Sequence, residues 1–346
     1  MFTQLKMGRC LQKLERINGI NNRKESERME IIKLEPAFKD YLWGGTKLRT
    51  LYNKKCDYDK VAESWELSTH SAGESTIASG AYKGLKLSEY FAKVGKSAIG
   101  KHCEAFPQFP VLIKFIDAKQ PLSIQVHPSD EYAMRVEKEY GKTEMWYILD
   151  CEENASLYFG VNREISKEEF RARIADNTIL DVLNKVPVHK GDMFFIEAGT
   201  IHAIGAGIII CEIQQNSNTT YRVYDYDRRD ANGNTRELHI DKAMDVCTLT
   251  PSSNNAQGQE EQFEGYSKRR LASCTYFTTC LFCVRKSCTL QITEDSFCSL
   301  VFTQGKGTVS SDETKCEFEK GESYFVPAGQ GTVTVSGDCA FILTTV

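Results

Sequence analysis

Short runs of apolar residues recur along the chain, some continuous and some alternating with polar positions. Gly, Pro, Asn and Asp separate them, a pattern that predicts a series of β-strands. Ile31, Ile32 and Leu34 open the series, which stops at Pro36. In Ala62–Ser68, Trp65 and Leu67 alternate with polar neighbours and predict a half-buried strand with both on one face. Lys114 interrupts the apolar run Val111–Asp117, so its ammonium either snorkels at a strand end or faces a polar cavity. Between Pro121 and Pro128, Gln125 and His127 alternate with Ile124 and Val126. Residues i and i+2 of a strand face the same side, so Gln125 and His127 point together, and Pro128 ends the strand or marks an edge. The strand beginning at Glu144 places Glu144, Trp146 and Ile148 on one face and Met145, Tyr147 and Leu149 on the other. Gly191–Ile196, Ile208–Gln214 and Tyr221–Tyr226 continue the series, with Arg222 predicted to share a face with Tyr224 and Tyr226.

Helical periodicity is confined to short stretches. Leu87–Ala98 predicts an amphipathic helix with Ser88 as its cap, and Ser129–Tyr140 a second, capped one. Ser166 followed by Glu169 has the form of a capping box. Asn177 is expected to cap a further short helix through Leu183, which gives a small helical insertion at about 163–190. A polar turn is expected at Asp230–Asn234, and residues 251–262 have the composition of a linker. The segment from Gly191 to His202 is echoed from Gly321 to Thr332 at a constant offset of 130 residues, with the Gly, the acidic residue, the aromatic pair and the Ala-Gly all repeated. The chain is therefore expected to be mainly β, with two related β-barrels: residues 29–254 carrying the chemistry, and residues 255–346, in which Thr332 takes the place of His202. Residues 1–28 are rich in Lys, Arg and Asn and read as a leader, either a transit peptide or an extension upstream of a natural start at Met29.

Composition narrows the function classes. A net charge of −4 gives no basic footprint for nucleic acid, and no apolar run approaches a membrane span. The thirteen cysteines are odd in number and scattered, seven of them after residue 270. The pair Cys280 and Cys283 is a lone CxxC without a second pair or nearby histidines. The expectation is reduced thiols acting as small hydrophobes in a cytoplasmic protein.

Three residues stand out as possible ligands for a transition metal: His127, Glu144 seventeen residues later, and His202, with Gln125 as a fourth. A carboxylate in a strand as apolar as Glu144–Leu149 needs a partner. A metal, Lys142 or Lys114 would each serve. Lys142, two residues before Glu144, is expected to project into the same space.

Taken in order, several motifs carry a family resemblance: Trp43-Gly44-Gly45, Ala62–Ser68, Leu122–Pro128, Lys142-Thr143-Glu144, Gly199–His202 and Tyr221–Asp225. Gly191, Glu197, Gly199 and His202 resemble the second cupin motif, with Glu197 in the usual proline position and Pro327 keeping that proline in the later copy. The ordered set resembles the type I, zinc-dependent mannose-6-phosphate isomerases in their short bacterial form. The resemblance implies two cupin barrels and interconversion of mannose 6-phosphate and fructose 6-phosphate through a cis-enediol(ate). It also implies one Zn2+ per chain on Gln125, His127, Glu144 and His202. Arg222 falls on the catalytic arginine, Glu212 is the first candidate for the general acid/base with zinc-bound water as its rival, and Asn218 stands where some relatives carry Asp. Lys142, Lys114, Ser123 and Arg228 fall on polar positions around the cavity; Lys142 is counted with Arg222 and Glu212 as catalytic, and Lys114, Ser123 and Arg228 would grip the phosphate. The implied partner is a small sugar phosphate, not nucleic acid or membrane, and no oligomeric state is implied. Another metal-dependent cupin, whether a different sugar-phosphate isomerase or an iron oxygenase, and a non-catalytic sugar-phosphate-binding protein are the alternatives.

Overall fold

The computed structural model describes residues 29–229, 232–253 and 258–346. The expected leader lies outside the described residues, as do positions 230 and 231 of the polar turn and 254–257 of the linker. The first part of the chain supplies β1 (Ile32–Glu35), β2 (Ala37–Lys39), β3 (Glu63–Leu67), β4 (Thr76–Ile77), β5 (Val111–Ala118), β6 (Ile124–Val126), β7 (Glu144–Cys151), β8 (Ser156–Val161), β9 (Leu183–Pro187), β10 (Met193–Ile196), β11 (His202–Ala203), β12 (Ile208–Gln215) and β13 (Tyr221–Tyr224). The remainder supplies β14 (Glu260–Phe263), β15 (Tyr266–Ser273), β16 (Thr278–Val284), β17 (Ser287–Ile292), β18 (Cys298–Ser310), β19 (Lys315–Glu319), β20 (Ser323–Val326) and β21 (Gly331–Thr345).

These strands stack in layers. The outermost layer is helical: Lys167–Ala175 and Ile240–Val246 cover one face of a five-stranded sheet ordered β13-β6-β11-β8-β9, burying Phe170, Ile174, Ala243 and Met244 against Ile124, Val126 and Val223. The other face of that sheet meets a six-stranded sheet, β10-β7-β12-β5-β3-β2, across a core that includes Trp146, Ile148, Phe159 and Phe194. Beyond the six-stranded sheet, Met145, Tyr147, Leu149 and Ile213 pack on Leu281, Phe297, Val301 and Phe325 of the C-terminal strands. A further core fills the C-terminal barrel, with Phe302, Phe318 and Phe341. The six-stranded sheet is thus buried on both sides. Strand β7 shows why the alternation in the sequence holds: Trp146 and Ile148 enter one core, and Met145, Tyr147 and Leu149 the other.

The repeat is visible as geometry. Strands β10 and β20 lie 130 residues apart at both ends. The glycines before them, Gly191 and Gly321, adopt φ of 93° and 92°, a left-handed conformation that side chains resist.

Several expectations change. Strand β1 belongs by sequence to the first barrel but pairs with β20 of the ten-stranded C-terminal sheet, and β4 follows it. Ile31 enters the C-terminal core while Ile32 and Leu34 enter the core between the barrels, so this segment needs an apolar environment on both sides. Trp65 and Leu67 do not share a face. A bulge between them puts Trp65 opposite Lys114 and Leu67 opposite Ile113, and strand β3 is buried throughout. A similar irregularity between Arg222 and Tyr224 turns Tyr224 toward the helical layer. The helix begun at Leu87 has Lys86 rather than Ser88 at its cap and ends at Val94, where Gly95 takes φ of 88°. The helix after Ser129 stops at Val136. Ser166 does cap its helix, accepting from Glu169 N, but Asn177 with φ of 57° terminates that helix rather than starting the next. The insertion is helical only to Val182, after which Leu183–Pro187 joins the five-stranded sheet.

Candidate active site

Two facing sheets supply the site. In the five-stranded sheet, Gln125 lies directly opposite Arg222 on one side and His202 on the other. Directly opposed residues of antiparallel strands share a face, so Arg222, Gln125 and His202 form one row. Ile124 and Val126 enter the outer core, which leaves Gln125 on the inner face. His127 follows at the strand end, before Pro128. In the six-stranded sheet, Trp146 opposes Glu212, Glu212 opposes Lys114, and Lys114 opposes Trp65, while Glu144 opposes Gln214.

Between these rows His127, Glu144 and His202 come together, fully buried, with their ligand atoms all within 4.8 Å of one another. His127 Nδ1 donates to Thr219 O at 2.9 Å, and His202 Nδ1 donates to Thr200 O at 2.8 Å. Each bond leaves the Nε2 lone pair free to face the centre. Burial lowers the pKa of both imidazoles, His202 to about 4, so both are neutral near pH 7. His202 Nε2 and Glu144 Oε1 lie 3.3 Å apart, and both are buried without a hydrogen-bond partner. Buried polar atoms left unsatisfied in this way are costly unless something joins them. Two neutral imidazoles and one carboxylate, with a glutamine in register, suit zinc, which takes nitrogen and oxygen donors in a small coordination shell.

A charged network surrounds the three donors. Lys142 Nζ lies 2.7 Å from Glu144 Oε2, 3.2 Å from His127 Nε2 and 3.8 Å from Glu212 Oε1. Lys114 Nζ lies 3.2 Å from Glu212 Oε1 and 3.7 Å from Glu63 Oε2. Trp146 Nε1 donates to Glu212 Oε2 at 2.9 Å, and Trp65 Nε1 donates to Glu63 Oε2 at 2.6 Å. Burial would raise the Glu212 pKa, but the two ammoniums outweigh it and hold the group ionised. Burial would push Lys114 down, but Glu63 and Glu212 hold it up. For Glu144, burial prevails over Lys142 and lifts the carboxyl above its usual range. Lys114 therefore faces the cavity rather than snorkelling.

At the edge of the five-stranded sheet, Arg222 Nη1 donates to Glu237 O at 2.8 Å, while its Nε is buried without a partner. Burial, and then the neighbouring Arg236 and Arg228, lower its pKa from a very high starting value, and an arginine stays charged there. Arg228 donates to Pro121 O at 2.6 Å and pairs with Asp225, which Arg236 also holds, Nε to Oδ2 at 2.7 Å. Two guanidiniums thus hold one carboxylate. Ser123 is buried just before β6.

Of the residues singled out in the sequence, His127, Glu144, His202, Lys142, Lys114 and Glu212 come together, and Gln125 and Arg222 share a strand row with His202. Arg228 reaches Pro121, on the approach to β6, and Ser123 is buried on that same approach. Glu63, Trp65, Asp225 and Arg236 were missed. Glu63 had a signal: it lies at i−2 from Trp65 on the same strand. Of the other histidines, His239 braces the backbone of Arg222, whose N–H donates to His239 Nδ1 at 3.2 Å. The cysteines of the CxxC point into different cores, Cys280 into the C-terminal barrel and Cys283 toward the layer between barrels.

Comparison with known proteins gives a consistent picture. Residues 31–157 match the model of the type I phosphomannose isomerase catalytic domain, and residues 267–346 that of the mannose-6-phosphate isomerase cupin domain. The chain is 38% identical over 309 residues to the mannose-6-phosphate isomerase ManA of Bacillus subtilis (strain 168), covering 88% of this chain and 95% of that protein. A crystal structure of a mannose 6-phosphate isomerase from Bacillus subtilis superimposes with a TM-score of 0.84 at 33% identity, covering 92% of this chain and all of the other. A zinc-bound mannose 6-phosphate isomerase structure shares the fold, with a TM-score of 0.74 at 18% identity over 91% of this chain and 98% of that one.

Proposed function

The chain belongs to the type I mannose-6-phosphate isomerase family, and on that premise we propose that the site described above interconverts mannose 6-phosphate and fructose 6-phosphate with one zinc ion. The observation that carries this assignment is the convergence of His127, Glu144 and His202 on a buried point flanked by Glu212, Lys142 and Arg222. A purely structural polar cluster has no reason to leave His202 Nε2 and Glu144 Oε1 without partners.

An aldose–ketose isomerase has to move a proton between C1 and C2 of an open-chain sugar and stabilise the oxygen charge that develops. Gln125, His127, Glu144 and His202 would hold the zinc. When bound, the zinc supplies Lewis-acid stabilisation to that oxygen charge. Arg222 offers a fixed positive charge from the opposite end of the same row and has one N–H to spare. Glu212 is the residue we assign to carry the proton. Its carboxylate is kept ionised by Lys114 and Lys142, and Trp146 fixes its orientation by donating to Oε2. Lys142 lies between Glu144 and Glu212, so it can bind a substrate oxygen while restraining both carboxylates. Arg228 and Ser123 are the residues we assign to hold the phosphate. Lys114 supports Glu212 directly in this arrangement, and a phosphate contact from Lys114 requires the Glu212 pair to loosen. Apolar walls built from Trp65, Trp146 and Phe159 keep water from the reacting carbons. The C-terminal barrel serves as a scaffold, and among its described residues there is no cluster of metal-ligating side chains. No helix among the described residues is long and apolar enough to cross a membrane. The setting we propose is cytoplasmic, where the twelve described cysteines, all free, would stay reduced.

The test is a coupled assay for fructose 6-phosphate formed from mannose 6-phosphate, on native protein, after chelation and after zinc is restored. Turnover lost on chelation, regained with zinc, and absent in His202→Ala is the expected result. A folded, zinc-loaded sample without turnover would overturn the assignment.

A further inference from the structure

His127 can present Nε2 to the site only while Thr219 O holds its Nδ1–H. Thr219 lies in the irregular segment between β12 and β13, so regular strand pairing does not fix that carbonyl. Side chains fix it instead. Gln214 Nε2 donates to Gln215 O and Ser217 O, both at 2.7 Å, and secures the first half of the segment. The second half is held by Glu139, which arrives from beyond the helix Asp130–Val136. Glu139 Oε1 accepts from Asn218 N at 3.0 Å, and Oε2 accepts from Thr219 Oγ1 at 2.8 Å.

Glu139 is itself held. His70 Nε2 donates to Glu139 Oε1 at 2.6 Å. The tautomer follows from the other ring nitrogen: Ala72 N–H donates to His70 Nδ1 at 3.0 Å, so Nδ1 must be a lone pair and Nε2 must carry the hydrogen. The His70 ring meets Trp65 edge-on at 5.8 Å, and Trp65 is part of the cavity wall. One chain of contacts therefore runs from the wall through His70, Glu139 and Thr219 to His127. Neither His70 nor Glu139 reaches the donor atoms.

We propose that Glu139 is a positioning residue for the metal site, fixing the Thr219 carbonyl and through it the aim of the His127 imidazole. This rests on His127 being a ligand, as assigned above. Partners of ligating histidines matter because they set ring orientation and tautomer, and their loss costs about 10–100-fold in metal affinity. Glu139 acts one bond further out, so the low end of that range is expected.

Three variants test it: Glu139→Ala, Glu139→Gln and Thr219→Val. An amide at 139 can keep every contact, with its oxygen toward His70 and Asn218 and its NH2 donating to the Thr219 hydroxyl. Zinc affinity is measured by competition with a chromophoric chelator, and Co2+ is used as a visible-spectrum probe of coordination. Glu139→Ala is expected to bind zinc on the order of 10-fold more weakly with a changed Co2+ spectrum, Glu139→Gln to match the wild type, and Thr219→Val to fall between. Wild-type affinity and spectrum in Glu139→Ala would overturn the proposal. So would a Glu139→Gln as weak as Glu139→Ala, since charge rather than position would then be at work. If Glu139→Ala does not fold, Thr219→Val decides alone, with unchanged affinity counting against. A wild-type protein that binds no zinc would instead overturn the assignment of His127, so the two failures are distinguishable.

Discussion

Lys114 Nζ stands 3.2 Å from Glu212 Oε1, and both side chains are 4% exposed. The pair is part of the reason a buried carboxylate stays ionised among aromatic walls, because burial alone would raise its pKa. Replacing Lys114 with Met removes one of the two cations that hold Glu212 down and leaves Lys142 alone. The Glu212 pKa then rises. If Glu212 is the base, activity that depends on its ionised form is lost at a higher pH than before. The acidic limb of the kcat/KM profile of zinc-loaded Lys114→Met should shift upward in pH. An unmoved acidic limb would mean that another group carries the proton.

Arg222 is opposed by Gln125 across one strand pair and by no carboxylate of its own. In the role proposed for it, its worth lies in a planar, permanently charged group. Arg222→Lys keeps a charge but loses the fixed fork of donors. Loss of a preorganised donor of this kind lowers kcat by roughly 10²–10³-fold. Zinc content should stay at the wild-type level, which separates a loss of stabilisation from a loss of the metal. A kcat within a few-fold of wild type would remove Arg222 from the reaction.

What the sequence made legible was the regular strands, in the fold and at the candidate site alike. Strand alternation placed Gln125 with His127, and Glu144 with Trp146, because a two-residue period survives wherever strand pairing is regular. The 130-residue echo gave strands β10 and β20 to the residue. It failed where regularity fails. Trp65 and Leu67 are separated by a bulge, and a bulge depends on what the partner strand offers as much as on the residues that form it. Strand β1 looked like the first strand of its own barrel, since nothing local tells an apolar segment which of two cores it will join. The partners of Asp225, Arg236 and Glu139 were invisible for another reason. Each is an ordinary charged residue until the chain brings its partner from a distant segment.

Acid should test Glu139 by a second route. Burial pushes its pKa up, but hydrogen bonds from His70, Asn218 and Thr219 outweigh that and bring it to about 2, from a usual value of 4.5. A carboxylate depressed on folding stabilises the protein fully above its unfolded pKa, and that contribution is lost as pH falls through the folded value. Glu139→Gln has nothing to titrate at this position. The stability gap between metal-free wild type and Glu139→Gln should therefore be widest above pH 4.5 and close as pH falls toward 2. Urea unfolding across that window measures it. A gap that stays constant would show that the carboxylate is not held as the hydrogen bonds imply.

The junction between the barrels offers a test that leaves the chemistry alone. Glu66 is fully buried on the bulge of β3. Its Oε1 lies 2.6 Å from Lys54 Nζ and accepts from Ser64 Oγ at 2.5 Å, while Oε2 accepts from Ser323 Oγ at 2.5 Å. Lys54 also donates to Gly321 O at 2.5 Å, so three distant segments meet on one ion pair. Removing one member of such a pair strands the other charge, at a cost of about 3–5 kcal/mol. The two serines that remain on Glu66 put Lys54→Met near the lower figure. Neutralising both members, in Lys54→Met with Glu66→Gln, should recover most of that loss because no charge is left buried alone. Zinc-loaded kcat should be unaffected in either variant, since neither residue lines the cavity. The measurement is the urea midpoint of each. A double variant no more stable than Lys54→Met would mean that the junction depends on the shape of these side chains rather than on their charge.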